Sequence, residues 1–225
     1  PVGAISLLAE TLADAEDKET AERLAGKLVK EAERLTRTIE DLLELSRIEL
    51  GGDALRERVD VRAVIDESVE RIRGIAEPSS IRVLVAPVPE GLAVMGDRRQ
   101  LVSALGNLVE NAVKYSNQGG DVEVGVDQSS GDVVFTVTDH GMGIASQHLD
   151  RIFERFYRVD KARSRDTGGV GLGLAIVRHV AANHGGEVNV TSREGEGSTF
   201  RLRIPGNGDK MSTMKTSTTN KGTSL

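Results

Sequence analysis

Hydrophobic positions over the first fifty residues recur at helical spacing. Ile5, Leu8 and Leu12 fall three and four residues apart. That pattern predicts a helix from about Pro1 to Ala13, with Pro1 suited to a first turn. Asp14 to Asp17 reads as a short acidic turn, and Asp17 as the N-cap of a second helix. The second helix carries Ala21, Ala25, Leu28, Ala32, Leu35, Ile39 and Leu42. Those steps alternate four and three without a miss, which is a heptad seam. One short partner helix cannot bury it. Pairing of two hairpins into a four-helix bundle is the expected solution, and a hairpin docked on the domain behind it is the plainer alternative. Gly51-Gly52 ends the second helix.

Beyond residue 52 the pattern becomes mixed. A short strand at Val59–Val61 leads into a helix over Arg62–Ile75. Ile81–Val85 and Leu92–Met95 read as strands separated by Pro87 and Pro89. Asp97 caps a helix that runs to Lys114. Asp121–Val126 and Val133–Asp139 alternate as strands about the turn Ser129-Ser130-Gly131. Residues 141–171 have little periodicity, and loops of that length inside compact domains are usually functional. Leu172–His184 is helical, and Gly186–Thr191 with Thr199–Ile204 close the domain as a hairpin. The class is α+β, a two-layer α/β sandwich behind a helical hairpin. Residues 206–225 are Ser, Thr, Lys and Gly with almost nothing to bury, and read as a disordered polar tail. The expected divisions are 1–52, 53–205 and 206–225.

Composition narrows the functional classes. The formal net charge of −6 opposes nonspecific nucleic-acid binding, which needs a basic face. Aromatics at 3 % leave too few rings for a base-stacking platform. The chain has no cysteine, so disulfides and thiolate metal sites are out. No apolar run has the length of a membrane span and no signal peptide is visible. The first residue is Pro1 rather than Met, so a fragment is expected, with any membrane segment outside it.

Four short segments carry chemistry. In the first, Asn107, Glu110, Asn111 and Lys114 share one helix face, while Leu105, Leu108, Val109, Ala112 and Val113 supply the buried side. Two carboxamides and a carboxylate are hard oxygen ligands of the kind magnesium accepts beside phosphate, and a lysine one turn on can meet a phosphate. A merely solvated face favours Lys, Glu and Arg over paired Asn. The second is Asp139-His140-Gly141-Met142-Gly143 at a strand end. Its carboxylate can accept from the exocyclic amine of adenine, and its glycines let backbone approach a flat ring. Alone, an ordinary Asp-Gly turn accounts for it. The third, Gly168-Gly169-Val170-Gly171-Leu172-Gly173-Leu174, opens a helix whose free N–H groups favour phosphate. It lacks the Gly-Lys-Ser/Thr ending of a P-loop. The fourth, Gly195-Glu196-Gly197-Ser198-Thr199-Phe200, starts the final strand and alone is only a hairpin.

The order of the four resembles the GHKL (Bergerat-type) ATPase superfamily and, within it, the sensor histidine kinases. That family shows an asparagine box, Asp-x-Gly-x-Gly, an aromatic box, Gly-x-Gly-x-Gly and Gly-x-Gly-Thr/Ser-x-Phe. Here the aromatic box is Phe153-Glu154-Arg155-Phe156-Tyr157-Arg158. Asp41-Leu42-Leu43-Glu44-Leu45-Ser46-Arg47 resembles the second helix of the family's dimerisation hairpin, and the likeness covers residues 1 to about 205. Pro1-Val2-Gly3-Ala4 and the stretch from Asp160 to Arg165 resemble the actinobacterial phosphate-sensing PhoR-type subgroup.

The resemblance implies two-component signalling by a Mg2+- and ATP-dependent protein-histidine kinase. It implies a homodimer through the hairpin and a response-regulator receiver domain as partner. The site would be the cytoplasmic portion of a membrane-anchored sensor. Asn107, Glu110 and Asn111 would face magnesium and the triphosphate, with Glu110 orienting or activating metal-bound water. Lys114 and Tyr115 would touch phosphate or ribose, and Asp139 would bind the adenine amine beside Gly141 and Gly143. Residues 141–171 would be a mobile ATP lid bringing Arg158 and Lys161 to the phosphates. Gly169, Gly171, Leu172, Gly173, Leu174 and Thr199 would complete the nucleotide contacts. Phe153 and Phe156 would dock the lid or the domain onto the hairpin.

Pro1 resembles the last residue of the family's acceptor motif, which places the phosphate-accepting histidine upstream. His140, His148, His179 and His184 are the histidines present, and none is on the hairpin. His179 and His184 read as solvated or helix-end residues. The chain is therefore expected to bind ATP without phosphorylating itself. An anti-sigma serine kinase, a chaperone- or gyrase-type ATPase and a non-catalytic dimer are the alternatives. The first lacks a heptad hairpin, the second needs further domains downstream, and the third has no use for intact boxes.

Overall fold

A computed structural model of the chain describes residues 2–49, 56–159 and 169–206. The expected helix end at Gly51-Gly52, the boundary at 52/53, Pro1, Lys161, Gly168 and residues 207–225 lie outside the described residues. The chain opens with α1 (Val2–Ala13) and α2 (Lys18–Glu49). Asp17 caps α2, its Oδ1 accepting from the Thr20 amide at 2.7 Å. At 12 residues against 32, α1 covers only the first part of its partner. Leu24 is buried between them, whereas Ile39 and Leu42, further along the heptad seam, remain 49 % and 42 % exposed.

The rest forms two layers. The larger sheet has the order β2-β4-β5-β7-β6. Its strands are β2 (Arg82–Val85), β4 (Asp121–Ser129), β5 (Asp132–Asp139), β6 (Glu187–Arg193) and β7 (Gly197–Pro205). Only β2 with β4 is parallel; the other pairings in this sheet are antiparallel. β1 (Glu57–Asp60) and β3 (Ala93–Gly96) make a small separate antiparallel pair. Helices α3 (Val61–Ala76), α4 (Arg98–Tyr115) and α5 (Gly173–Asn183) supply the second layer. In β5 the pleat sends Val133, Phe135, Val137 and Asp139 into the core and leaves Thr136 and Thr138 on the other face. Leu101, Leu105, Leu108 and Ala112 of α4 meet that core face.

Element boundaries moved by a few residues for local reasons. Val61, expected in a strand, opens α3, because Asp60 accepts from the Ala63 amide at 2.9 Å and starts the helix there. Asp97 caps α4 as expected, accepting from Arg99 and Gln100. β4 runs three residues past the expected Val126, since Asp127, Gln128 and Ser129 pair with β5.

The alternatives of docked hairpin and intermolecular bundle divide along α2. Its last turns dock on the catalytic layer. Leu45 and Ile48 are 3 % and 4 % exposed and belong to the main core. Burying each is worth about 1.5–3 kcal/mol. Asn183 Nδ2 donates to the Ile48 carbonyl at 3.1 Å, and Glu49 bridges Arg155 and His179. A charge at Leu45 would break this junction while leaving the exposed stripe at Ile39 and Leu42 intact.

Candidate functional site

The polar face of α4 fronts a cavity of about 690 Å3, within the range that small-molecule sites occupy. Asn107, Glu110, Asn111, Lys114 and Tyr115 all line it. Helical spacing brings them together, and their buried neighbours fix the helix rotation. Asn107 Nδ2 donates to the Ser103 carbonyl at 3.0 Å, which leaves its amide oxygen for the cavity side. Lys114 Nζ meets Glu110 Oε1 at 2.5 Å. The half-buried Asn111 carboxamide makes no hydrogen bond among the described residues. A half-buried carboxamide without a partner is a group held for a ligand or water.

Asp139 also lines the cavity, 4 % exposed at the close of β5. Burial raises its pKa above the usual carboxylate value, while hydrogen bonds from the Gly141 amide and from Ser198 act in the opposite sense. Gly141 was expected beside the ligand. Instead its amide holds Asp139 Oδ1 at 3.0 Å, and a Cβ there would stand 2.0 Å from the Tyr115 carbonyl. It is a close-packing glycine that fastens β5 to the end of α4, and it does not line the cavity. Met142 and Gly143 do.

The glycine-rich segment delivers Gly169, Gly171, Leu172, Gly173 and Leu174 to the cavity wall. No side chain caps the start of α5. Its first amides are thus left for another acceptor, the arrangement that suits phosphate. A Cβ on Gly173 would come within 2.4 Å of Asn107 Oδ1, so a side chain there would displace the Asn107 carboxamide.

Thr199 is a correction. It points to the opposite face of the sheet, where its hydroxyl meets that of Thr138 at 3.1 Å. Its neighbours Ser198 and Phe200 line the cavity instead, because successive strand residues alternate faces. Phe153 joins the main core, which also holds Leu45 and Ile48 of the hairpin. It is 9 % exposed and edge-on to Phe200 at 6.5 Å, at the root of the expected lid. Phe156 is 58 % exposed with φ of 61°, its amide tied to the Gly171 carbonyl at 2.8 Å. Tyr157 Oη and His148 Nδ1 lie 2.6 Å apart, and the Arg151 guanidinium sits 4.3 Å from the Tyr157 ring centroid. Arg158 lines the cavity, and burial lowers its pKa. His184 is no solvated residue: it is 6 % exposed, and Nε2 accepts from the Asp97 amide at 3.0 Å.

Sequence reading missed the part of the wall that comes from the hairpin. Arg37, Thr38, Glu40 and Asp41 of α2 line the cavity, as does Arg71 of α3. A signal existed. Arg34, Thr38, Asp41, Leu45 and Ile48 form a second stripe with steps of four and three, beginning polar and ending apolar. Asp41 lies in a crowded field. Burial first, then Glu110 and Glu44, push its carboxyl up to about 6, against the opposing pull of Lys114.

Comparison with known proteins agrees with this layout. Residues 96–208 match the family described as histidine kinase-, DNA gyrase B-, and HSP90-like ATPases. Residues 1–51 match the His Kinase A (phospho-acceptor) domain. The chain is 49 % identical over 208 residues to the sensor-like histidine kinase SenX3 of Mycolicibacterium smegmatis, covering 91 % of this chain and 54 % of that protein. The chain spans about half the length of the SenX3 relatives it matches. Among solved structures, the mycobacterial sensor histidine kinase MprB aligns with a TM-score of 0.59 at 36 % identity, covering 68 % of this chain and 98 % of that one. Full-length ShkA in complex with AMPPNP aligns with a TM-score of 0.68 at 27 % identity, over 91 % of this chain and 46 % of that one. Hairpin and ATPase layer occur here in the order and with the boxes of one family, and the chain belongs to the sensor histidine kinases.

Proposed function

We propose that the cavity binds Mg-ATP and presents its γ-phosphate to an acceptor histidine expected upstream of Pro1, from which it passes to the aspartate of a response-regulator receiver domain. One observation carries the reading: the buried carboxylate of Asp139 and the polar face of α4 line a single cavity. Asp139 accepts from the adenine amine. Asn107, Asn111 and Lys114 hold the phosphate end, the open start of α5 adds backbone N–H donors, and Tyr115 lies beside the ribose. Arg158, with Lys161, neutralises charge as the phosphoryl group leaves.

The donors suit magnesium arriving with its nucleotide. Asn107, Asn111 and Glu110 would hold the ion beside phosphate oxygens and water. When bound, it draws charge from the phosphates and makes the terminal one a better electrophile. The protein's own contribution is positioning and charge placement, which dominate phosphoryl transfer. Glu110 orients water next to the phosphates once Lys114 releases it.

The proposed divisions are a dimerising hairpin over 1–52, a catalytic domain over 53–205 and a polar tail over 206–225. The homodimer forms through the hairpin, in the cytoplasmic part of a membrane-anchored sensor. No helix among the described residues is long and apolar enough to cross a membrane. The phosphate-sensing PhoR-type subgroup fits the sequence of this part. An anti-sigma serine kinase is not favoured, because the phospho-acceptor hairpin precedes the ATPase layer.

Calorimetric titration with Mg-ATP tests the site. Asp139→Asn and Asn111→Ala should each remove most of the affinity. Wild-type affinity in both variants would remove the assignment.

A further inference from the structure

The phosphate end of the cavity is walled in part by a helix outside the catalytic layer. Arg37, Thr38 and Asp41 of α2 face the same space as Glu110, Asn111 and Lys114 of α4. Lys114 is already matched by Glu110, and Glu40 and Asp41 add further negative groups. Two cations stand unmatched. Arg37 on α2 and Arg71 on α3 line the cavity and make no ion pair or hydrogen bond among the described residues.

The neighbourhood of Arg37 repeats the theme. Arg34, one turn earlier, pairs with Glu31 through Nη1 at 3.4 Å but keeps its Nε buried without a hydrogen-bond partner. Its charge also acts on Arg158 of the lid, in the direction expected for two guanidinium groups held near one another. An unmet guanidinium donor beside a second cation has its lowest energy with an anion nearby. A docked helix that served only to cover the site would place apolar residues at Arg37, as α2 does two turns later with Leu45 and Ile48.

We propose that the hairpin completes the nucleotide site: Arg37 of α2 and Arg71 of α3 contact the terminal phosphates from the side opposite Lys114, so the polyphosphate is held between the two parts of the chain. The guanidinium fork matches two phosphate oxygens at once, which an ammonium does not. Docking of α2 and binding of a triphosphate then favour one another, because the nucleotide supplies the negative charge that Arg37 lacks. This inference rests on the nucleotide reading of the cavity.

The test separates the two. Affinities of the whole chain for Mg-ATP and for AMP are measured by competition with a fluorescent adenine nucleotide, in wild type, Arg37→Gln, Arg71→Gln and the double variant. Both positions are exposed, so the fold should tolerate the changes. Each single variant should weaken ATP about three- to tenfold, and the double variant by more than tenfold, with AMP unchanged. Arg37→Lys should recover only part of the loss, as charge without the fork. Wild-type chain that binds neither nucleotide would sink the nucleotide reading and this inference together. ATP bound as tightly by the double variant as by wild type would overturn this inference alone. Equal losses for ATP and AMP would also overturn it, since the arginines would then serve the fold rather than the phosphates.

Discussion

Asp41 on the hairpin and Glu110 on α4 line one cavity, and the Glu110 carboxylate raises the cost of ionising Asp41. Glu40 and Glu44 add to that cost from the same helix, and Lys114 relieves it from α4. Docking of α2 therefore titrates. With its pKa raised from 3.8 to about 6, Asp41 binds its proton more tightly when docked. Its contribution is full below pH 3.8 and is lost as pH rises through 6. Asp41→Asn should strengthen docking at pH 7 by about 1–2 kcal/mol, after discounting for the open cavity mouth, and flatten the profile between pH 4 and 7. Hydrogen exchange of α2 against pH reads this directly. A profile unchanged by the substitution would remove Asp41 from the account.

Asp139 sets stability against binding. Burial raises its pKa above 3.8, so the ligand-free fold is favoured at low pH and loses that contribution as pH rises through the raised value. Only the ionised form accepts fully from an amine. Nucleotide affinity should thus fall as the solution is acidified toward that pKa. Asp139→Asn should bind at least tenfold more weakly at pH 7, from the loss of charged-acceptor hydrogen bonds, yet melt at an equal or higher temperature without ligand. Calorimetry and a thermal scan on the same variant check both halves.

His184 works in the opposite sense. Nδ1 lies 2.8 Å from the Val180 carbonyl and Nε2 accepts from Asp97, a pattern that requires the neutral ring protonated on Nδ1. Burial lowers its pKa below 6.5. Its contribution is present above pH 6.5 and lost as pH falls through the lower folded value. His184→Phe leaves the Asp97 amide without its acceptor and should cost about 1–3 kcal/mol. It should also abolish the histidine part of the acid-side loss in a denaturation series. Gly96→Ala should be destabilising too, because its Cβ would stand 2.5 Å from the His184 ring.

The exposed part of the α2 seam predicts assembly. Ile39 and Leu42 lie beyond the reach of α1 and are largely bare in one chain. A second hairpin is the partner that matches their spacing. Wild-type chain should run as a dimer in light scattering, and Leu35→Glu with Leu42→Glu as a monomer. Asp139→Asn should leave the dimer untouched. Equal mass for wild type and the double glutamate variant would refute the seam as the interface.

Local sequence determined much of this protein. Heptad spacing specified both helices, Asp17 and Asp97 specified where helices begin, and β5 declared its buried face by alternation. The shared face of Asn107, Glu110, Asn111 and Lys114 was legible because helix geometry makes neighbours of residues three and four apart. Contacts between distant segments were not legible. Thr199 turned to the open face because its register is fixed by pairing with Thr138, sixty-one residues away. Phe153 went inward because Phe200 waits there. Asp41, Arg37 and Arg71 joined the cavity only because Leu45 and Ile48 dock α2 on the core. Spacing along a chain encodes the faces of an element. Which face meets which depends on burial summed over the whole molecule, and that the tertiary structure alone decided.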